Sequence, residues 1–515
     1  MLFPTLTYAI FFVLVLGVSW KLRPRPRLWK PFILVVSYIF YGWWNPTFLL
    51  LLAASQVGNT VMGYGIARAP SDDRRRWWVR VAVTANLVLL GFFKYYGFFV
   101  ESLISLLSPL HLAPTPLLIE VTLPVGISFF TFCAISYIID LGRQEIEPAN
   151  VIDFSLYLSF FPHLVAGPIV RASEFLPQLK RLPNPNAVDA TRGARLIARG
   201  LIKKVIVASF LSQAIVDPVF GAPGAYRSID IIVAIYAYAV QIYADFSGYT
   251  DIAIGSALLL GIKFPDNFDR PYTAATIQDF WRRWHMTLSR WLRDYLYIPL
   301  GGNRGSHFMI YRNLFLTMLL GGLWHGAEWT FVIWGAYHGI GLGVERWVGE
   351  RATVPRNERA DRAPKLSRLR SELGLESTVG EVPVIGEGGD FVMAEPNDVL
   401  PPRRERSPWV GRAMVFHFVA IGWVLFRSDS LATAGTVLWR ALTAWGSPEL
   451  VTPLILVTIL AAIGVQYLPQ RVGLTLEWRV SSLPPVVQGV GFALVLLVVD
   501  ILGPQGVAPF IYFQF

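Results

Sequence analysis

The chain has 515 residues, of which 54% are hydrophobic and 16% are charged, and its formal net charge is +10. Soluble domains usually carry about 25% charged residues, so this composition excludes an ordinary soluble enzyme. The basic residues flank apolar runs instead of forming one face, which argues against nucleic-acid binding.

Repeated apolar runs of about 20 residues predict an all-α, polytopic membrane protein. Five basic residues follow the first run, Leu2–Trp20, and none precedes it, which indicates a retained span and not a cleaved signal peptide. The length rule predicts about 10–12 crossings. The predicted spans are residues 2–20, 31–44 with 47–67, 81–106, 121–140, 205–219, 229–262, 309–345 (broken), 411–427, 451–468 and 485–503.

The positive charge is concentrated in a few segments between the apolar runs. The positive-inside bias predicts that these segments are cytoplasmic and that the N-terminus is outside. In a bacterium the chain would then be a multi-pass protein of the plasma (inner) membrane. The basic segments are Lys21–Lys30, Arg68–Arg80, Arg171–Lys204, Lys263–Arg304 and Arg346–Arg412.

The segment Leu156–Ile169 lies between two loops that are both predicted to be cytoplasmic, and it contains Pro162 and Gly167-Pro168. A single crossing would place these loops on opposite sides of the membrane. We therefore predict a broken, re-entrant segment, which is tolerated where it is buried in protein or lines a cavity. The alternative is a short kinked span with a different topology elsewhere.

Two carboxylates, Asp245 and Asp251, interrupt an apolar stretch. Carboxylates are costly at membrane depth unless they are paired or face water. We expect them either to orient an imidazole or to form structural pairs with Arg282 or Arg283, the second being favoured. The candidate substrate-binding residues of the chain are Asp245, Ser247, Asp251, Arg283 and Trp324.

Residues Thr276–Tyr297 combine aromatic and basic residues at helical spacing, which is typical of an amphipathic helix at a membrane interface. His285 lies on the flank of the aromatic stripe. On its own it would be a packed interfacial histidine bonded to a carbonyl. The stripe consists of Phe280, Trp284, Trp291 and Tyr295, and the arginines on the other side are Arg283, Arg290 and Arg293.

His325 lies in the uncharged run Leu319–Ala327. Counted from Leu314, it lies about 16 Å along a helix, near the middle of a hydrocarbon core about 30 Å thick. A titratable residue there marks a functional site by default, and a neutral imidazole suits general-base catalysis on a hydroxyl. The alternative is a hydrogen bond between helices. Gly321-Gly322 and Gly326 favour a helix break here.

The stretch 346–412 is the only long polar one, and its Gly and Pro content predicts a mobile cytoplasmic loop. We predict a membrane core over residues 1–345, this loop over 346–412, and C-terminal transmembrane helices of the same domain over 413–515. No phosphate-binding loop or nucleophile elbow occurs in the sequence. No metal site is expected, and Cys133, the single cysteine, is expected to be a core residue.

Several motifs resemble the membrane-bound O-acyltransferases, and as a set they are specific. The resemblance covers about residues 1–345, resumes at Ile421–Arg427, and is nearest to the bacterial branch that acetylates exported polysaccharides such as alginate. The motifs are Phe160-Phe161-Pro162 with Ala166-Gly167-Pro168, Asp245–Tyr249, Asn267-Phe268 with Pro271-Tyr272, Phe280–His285, Tyr297–Gly302, Gly322–Gly326 and the terminal Phe510–Phe515.

The resemblance implies that His325 is the catalytic histidine and His285 its companion, in helices around a central funnel. It also implies a cytoplasmic thioester donor such as acetyl-CoA, no bound cofactor, and an acyl group that leaves outside. The acceptor would be an exported polysaccharide or an extracytoplasmic acyltransferase partner protein. Cys133 stands where many members of this family have glutamine.

Three other functions are weighed against this one. A related branch transfers D-alanine to teichoic acid. A transporter could use Asp245, Asp251 and His325 as a proton or substrate path, although it would not need the tryptophan-rich segment around His285. A non-catalytic subunit of a polysaccharide export complex would need neither histidine.

Overall fold

The computed structural model describes residues 3–110, 121–181, 188–352, 382–385, 391–394 and 408–502. Regular structure within these residues is almost entirely helical, and one two-stranded sheet accompanies the helices. The predicted all-α, polytopic membrane class is confirmed. The terminal motif Phe510–Phe515 lies outside the described residues.

The first half of the chain forms helices α1 to α12, and π-helical turns connect α4 to α5, α10 to α11 and α11 to α12. The π-helical turns are Gly91–Tyr95, Ile202–Ala208 and Ser212–Val216. The helices are α1 (Leu6–Leu22), α2 (Pro26–Gly42), α3 (Pro46–Ala67), α4 (Asp72–Leu90), α5 (Tyr96–Leu107), α6 (Ile127–Gly142), α7 (Val151–Ser159), α8 (Phe161–Leu164), α9 (Ala172–Lys180), α10 (Ala190–Leu201), α11 (Ser209–Leu211) and α12 (Asp217–Gly221).

The second half contains the long central helix and the segments that carry the histidines. A further π-helical turn spans Arg293–Tyr297. The helices are α13 (Ser228–Leu259), α14 (Ile277–Arg283), α15 (Met286–Leu292), α16 (His307–His325), α17 (Trp329–Ala352), α18 (Pro408–Arg427), α19 (Leu431–Thr443), α20 (Pro453–Gly464), α21 (Gln470–Ser481) and α22 (Pro485–Leu502).

Six helical stretches of the described residues are long and apolar enough to cross a membrane, and one bent pair of helices would be a seventh. The predicted total was about 10–12. The totals differ because several apolar runs fold as helices that are too short, such as Ile127–Gly142, or are split by breaks. The six are Pro46–Ala67, Asp72–Leu110, Ala190–Gly221, Ser228–Leu259, Pro408–Arg427 and Pro485–Leu502.

The segment predicted to be re-entrant is broken. Helix α7 ends at Ser159, Phe160 leaves the helical conformation at ψ 109°, and the short helix α8 begins at Phe161. Every residue from Phe154 to Val170 is buried. Broken backbone of this kind is tolerated in a membrane protein where neighbouring protein surrounds it.

Helix α13 lies at the centre of the molecule, and most of its residues are buried. It contacts α10 along one side and α18 along another, and α18 also contacts α17. Helices α16 and α17 pack against each other over much of their length. The polypeptide between them, residues 326–328, is therefore held at the end of a helical hairpin.

The polar stretch is partly described. Helix α17 continues to Ala352 and α18 begins at Pro408, so both ends of the stretch are helical. Strands β1 (Val382–Ile385) and β2 (Phe391–Ala394) pair antiparallel, with Val382 opposite Ala394. The other residues of the predicted mobile loop lie outside the described part of the chain.

Candidate active site

His325 is the last residue of α16, and only 4% of its surface is exposed. Three aromatic rings surround its imidazole with centroid distances of 5.0 to 5.3 Å, each at a steep angle to it: Trp324, Trp334 and Phe426. These rings come from α16, α17 and α18, so three helices define the position of one histidine. The side chain is enclosed by protein and does not face lipid.

The helix ends after His325 because Gly326 takes an extended conformation, with φ −151° and ψ 150°. A β-carbon at Gly326 would lie 2.1 Å from the Phe331 ring, so only glycine fits. The break that the sequence predicted in this run is confirmed and falls at Gly326. Gly321 and Gly322 stay within the helix.

His285 breaks the segment that was predicted to be one amphipathic helix. Helix α14 ends at Arg283, α15 begins at Met286, and His285 lies between them in the left-handed region at φ 43°, ψ 54°. The prediction of one continuous helix is therefore wrong at this residue. Left-handed backbone is unfavourable for a residue with a β-carbon, and such strain is concentrated at functional sites.

Asn267 fixes the protonation pattern of His285. The Asn267 Oδ1 atom lies 3.1 Å from His285 Nδ1 and also accepts hydrogen bonds from the Thr287 amide and hydroxyl. Because a backbone amide can only donate, this Asn267 atom is the oxygen, and His285 Nδ1 must be the protonated nitrogen. In the neutral ring, Nε2 then carries the lone pair.

Several polar atoms around the histidines are buried without a hydrogen-bond partner among the described residues. They are His285 Nε2, Trp334 Nε1 and both ring nitrogens of His338. The Trp334 ring lies 5.1 Å from His325 and 4.8 Å from His338, and the Trp324 ring neighbours both His285 and His325. Buried polar groups are normally paired. This cluster is suited to a polar reactant or ordered water.

Comparisons with known proteins identify the family of the chain. Residues 125–355 match the model of the membrane-bound O-acyltransferase family. The chain is 39% identical to the probable alginate O-acetylase of Pseudomonas aeruginosa over 445 residues, which are 86% of this chain and 74% of that protein. The chain belongs to the membrane-bound O-acyltransferase family.

Two further relatives show which members of the family this O-acyltransferase resembles more. It is 40% identical to the peptidoglycan O-acetyltransferase of Helicobacter pylori, over 62% of this chain and 64% of that one. It is 27% identical to the teichoic acid D-alanyltransferase of Streptococcus thermophilus, over 46% and 60% of the two chains. The acetyltransferases are thus more similar to it than the D-alanyltransferase.

In the O-acyltransferase, Asp245 and Asp251 on α13 are both paired with basic residues. Asp245 forms a buried ion pair with Lys204, and Asp251 pairs with Arg199 at 2.6 Å and Lys203 at 2.8 Å. A structural pairing was predicted correctly, but its partners were wrong. The cations come from α10 and the π-helical turn after it, and not from Arg282 or Arg283.

Two of the remaining candidate substrate-binding residues, Ser247 and Arg283, differ in their burial and pairing. Ser247 is buried, and its hydroxyl has no hydrogen-bond partner among the described residues. Phe246 beside it contacts the His285 ring at 4.7 Å. Arg283 forms ion pairs with Asp279 at 3.0 Å and Asp269 at 3.6 Å, which accounts for its charge without a substrate.

Cys133 is a buried core residue of the O-acyltransferase, as predicted, and its thiol donates to the Val170 carbonyl at 3.6 Å. Among the described residues, no group of three or more histidine, cysteine or acidic side chains could hold a metal ion.

Sequence reasoning assigned no role to two residues of the site. Asn267 is named there only as part of a motif, and His338 is not singled out. His338 follows Trp334 by about one turn of α17, so its ring lies 4.8 Å from the Trp334 ring, which itself lies 5.1 Å from the His325 ring. A signal was present, since His338 follows His325 in the same apolar region.

Proposed function

We propose that this O-acyltransferase moves an acetyl group from a cytoplasmic thioester, acetyl-CoA in the simplest case, to hydroxyls of an exported polysaccharide. Transfer is either direct or through an extracytoplasmic partner protein that passes the group on. Relatives named for alginate and peptidoglycan O-acetylation support the polysaccharide acceptor. The multi-pass fold and its basic loops support a location in the bacterial inner membrane.

The proposed reaction uses His325 as the general base. The imidazole takes the proton of the acceptor hydroxyl while the oxygen attacks the thioester carbonyl carbon. The tetrahedral oxyanion collapses, the carbon–sulfur bond breaks, and the thiolate takes the proton back from the imidazolium as it leaves. A positioned base of this kind contributes about 10² to 10⁴ in rate.

His285 has a different role in this proposal. With its Nδ1 proton committed to Asn267, the neutral ring cannot donate to an oxyanion through Nε2. It can accept a hydrogen bond there and so orient the acceptor hydroxyl or the donor. The Trp334 N–H is one buried donor available for oxyanion stabilisation, because it has no partner among the described residues and its ring lies 5.1 Å from that of His325.

The observation that carries the proposal is the enclosure of two imidazoles among buried polar atoms that have no hydrogen-bond partner within the described part of the chain. It is tested with purified protein in nanodiscs, by measuring thiol release from acetyl-CoA and transfer of radiolabelled acetyl to uronic-acid and peptidoglycan oligosaccharides. We expect His325→Ala to lower both rates by about 10² or more. His307→Ala, at the exposed start of the same helix, should keep normal activity.

Four results would contradict the proposal. Normal acetyl transfer by a correctly folded His325→Ala variant would show that His325 is not the general base. Normal transfer by the His285→Ala, His325→Ala double variant would favour a non-catalytic subunit. Substrate uptake into liposomes without thioester turnover would favour a transporter. Activity with a D-alanyl thioester but not with acetyl-CoA would favour the D-alanyl branch.

A further inference from the structure

Side chains from a distant segment complete the hydrogen bonding at the end of α16. The Lys94 ammonium donates to the carbonyl of Trp324 at 2.5 Å and to that of His325 at 3.0 Å. The Tyr95 hydroxyl donates to the Leu323 carbonyl at 2.9 Å. Three consecutive carbonyls of the last helical turn, including that of the proposed base, are therefore held by two adjacent residues.

These carbonyls need external donors for a general reason. The last four carbonyls of an α-helix have no partner within the helix. Gly326 continues in an extended conformation, so the chain does not fold back to cap them. An unsatisfied carbonyl costs several kcal/mol where water is absent, as inside a membrane protein. Lys94 and Tyr95 supply the missing donors.

The two donors lie at an irregular point of the backbone. Lys94 and Tyr95 belong to the π-helical turn Gly91–Tyr95, which separates α4 from α5. Turns of this type are rare, and they occur frequently at functional sites.

The charge of Lys94 is a second, independent feature. Among the described residues, no carboxylate lies within ion-pair distance of its ammonium group, whose remaining neighbours are the Ser128 hydroxyl at 3.5 Å and the Trp324 ring at 5.9 Å. A cation is favourable at a helix C-terminus because of the helix dipole. A neutral donor could satisfy the carbonyls at a smaller desolvation cost. A charged residue in this position therefore indicates a function for the charge itself.

We propose that Lys94 is a positioning residue for acyl transfer. It fixes the backbone of His325 and keeps a positive charge beside the place where the reaction forms first an oxyanion and then a thiolate. This inference rests on the proposed role of His325. Because the negative charge develops only as the reaction proceeds, Lys94 should affect kcat much more than the KM of the donor.

Four variants test the proposal, with thermal unfolding measured on each. Lys94→Met removes the charge and the donors, Lys94→Gln keeps an N–H donor without charge, and Lys94→Arg keeps both. Tyr95→Phe is the matched control, because it removes one hydrogen bond to the same helix end and no charge. We expect the Met and Gln variants to lose about 10² in kcat with donor KM within about threefold, the loss typical of a missing oxyanion donor.

We expect Lys94→Arg to recover to within about tenfold of the wild type, and Tyr95→Phe to lose less than about tenfold. Wild-type kcat in Lys94→Met, or full recovery in Lys94→Gln, would overturn the role of the charge. Should Lys94→Met fail to fold, the Gln and Arg pair still decides the question. An active His325→Ala variant would instead overturn the proposed function, so the two failures are distinguishable.

Discussion

At the scale of single residues, His285 combines a strained, left-handed backbone with an imidazole ring held in a fixed orientation. Its left-handed backbone is supported from outside the helix, since the Asn267 carbonyl accepts from the Met286 amide at 3.0 Å and its side chain accepts from Nδ1 of the ring. The backbone and the tautomer of His285 therefore depend on the same residue. The Asn267 side-chain amide nitrogen has no partner in the described chain, which leaves the oxygen as the functional group.

Asn267→Ala should therefore damage activity through His285. Loss of the acceptor frees the ring to change tautomer and to rotate, and a misplacement of about 1 Å can lower a rate by about 10². Asn267→Asp retains the accepting oxygen and is expected to keep more activity than the alanine variant. The measurement is kcat for thioester turnover, with thermal unfolding as the control; equal activities of the two variants would contradict this account.

At the scale of elements, the hairpin of α16 and α17 depends on glycines that let the two backbones approach. A β-carbon at Gly322 would lie 2.3 Å from the Phe331 carbonyl oxygen, and one at Gly335 would lie 2.5 Å from that of Met318. Gly339 follows Gly335 by one turn, and a β-carbon there would lie 3.2 Å from Phe315. Small residues at this spacing are typical of closely packed membrane helices.

Gly335→Ala and Gly343→Ala should have opposite effects, although both lie in α17. At Gly335 the new methyl meets backbone, so the helices must separate, at a cost of about 1–3 kcal/mol. At Gly343 the nearest atom is a Tyr311 ring carbon at 3.5 Å, an ordinary contact, and alanine gains up to about 1 kcal/mol of helix propensity. Thermal unfolding in detergent would check this; a Gly335→Ala protein as stable as wild type would contradict it.

The same elements show what the sequence could and could not predict. The break after His325 was predictable because glycine is local information. The break at His285 was not, since its conformation depends on Asn267, 18 residues earlier. Lys94 was not singled out because its carbonyl partners lie 230 and 231 residues away. Apolar pattern and motifs identify elements and histidines, whereas partners from distant segments require the fold.

At the scale of the whole molecule, polar residues connect segments that are far apart in the chain. Asp294, in the π-helical turn after α15, accepts hydrogen bonds from Arg171 at 2.5 Å and from Arg293 at 2.6 Å, and its carbonyl accepts from Arg143. Partial burial raises the pKa of the Asp294 carboxyl, but the hydrogen bonds and charges of Arg293 and Arg171 lower it by more. The pKa therefore lies below its ordinary value of 3.8.

This pKa shift predicts that the contribution of Asp294 to stability depends on pH. A carboxyl whose pKa is depressed by folding stabilises the protein above its ordinary pKa, and that stability is lost as the pH falls through the folded value. Asp294→Asn should therefore have a lower unfolding temperature than wild type at pH 7. The difference should shrink below a pH of about 4. An unfolding temperature difference that stays constant from pH 7 to pH 3 would contradict it.

The short connection after His325 has a mechanical consequence. Only residues 326–328 separate two helices whose backbones are in close contact at glycines, so the position of the His325 imidazole is fixed by the hairpin. If His325 is the base, as proposed, acceptor and donor must both reach a fixed imidazole, and any passage that admits or releases them has to form between other helices. Residues along that passage can then change with the acceptor while the hairpin stays unchanged.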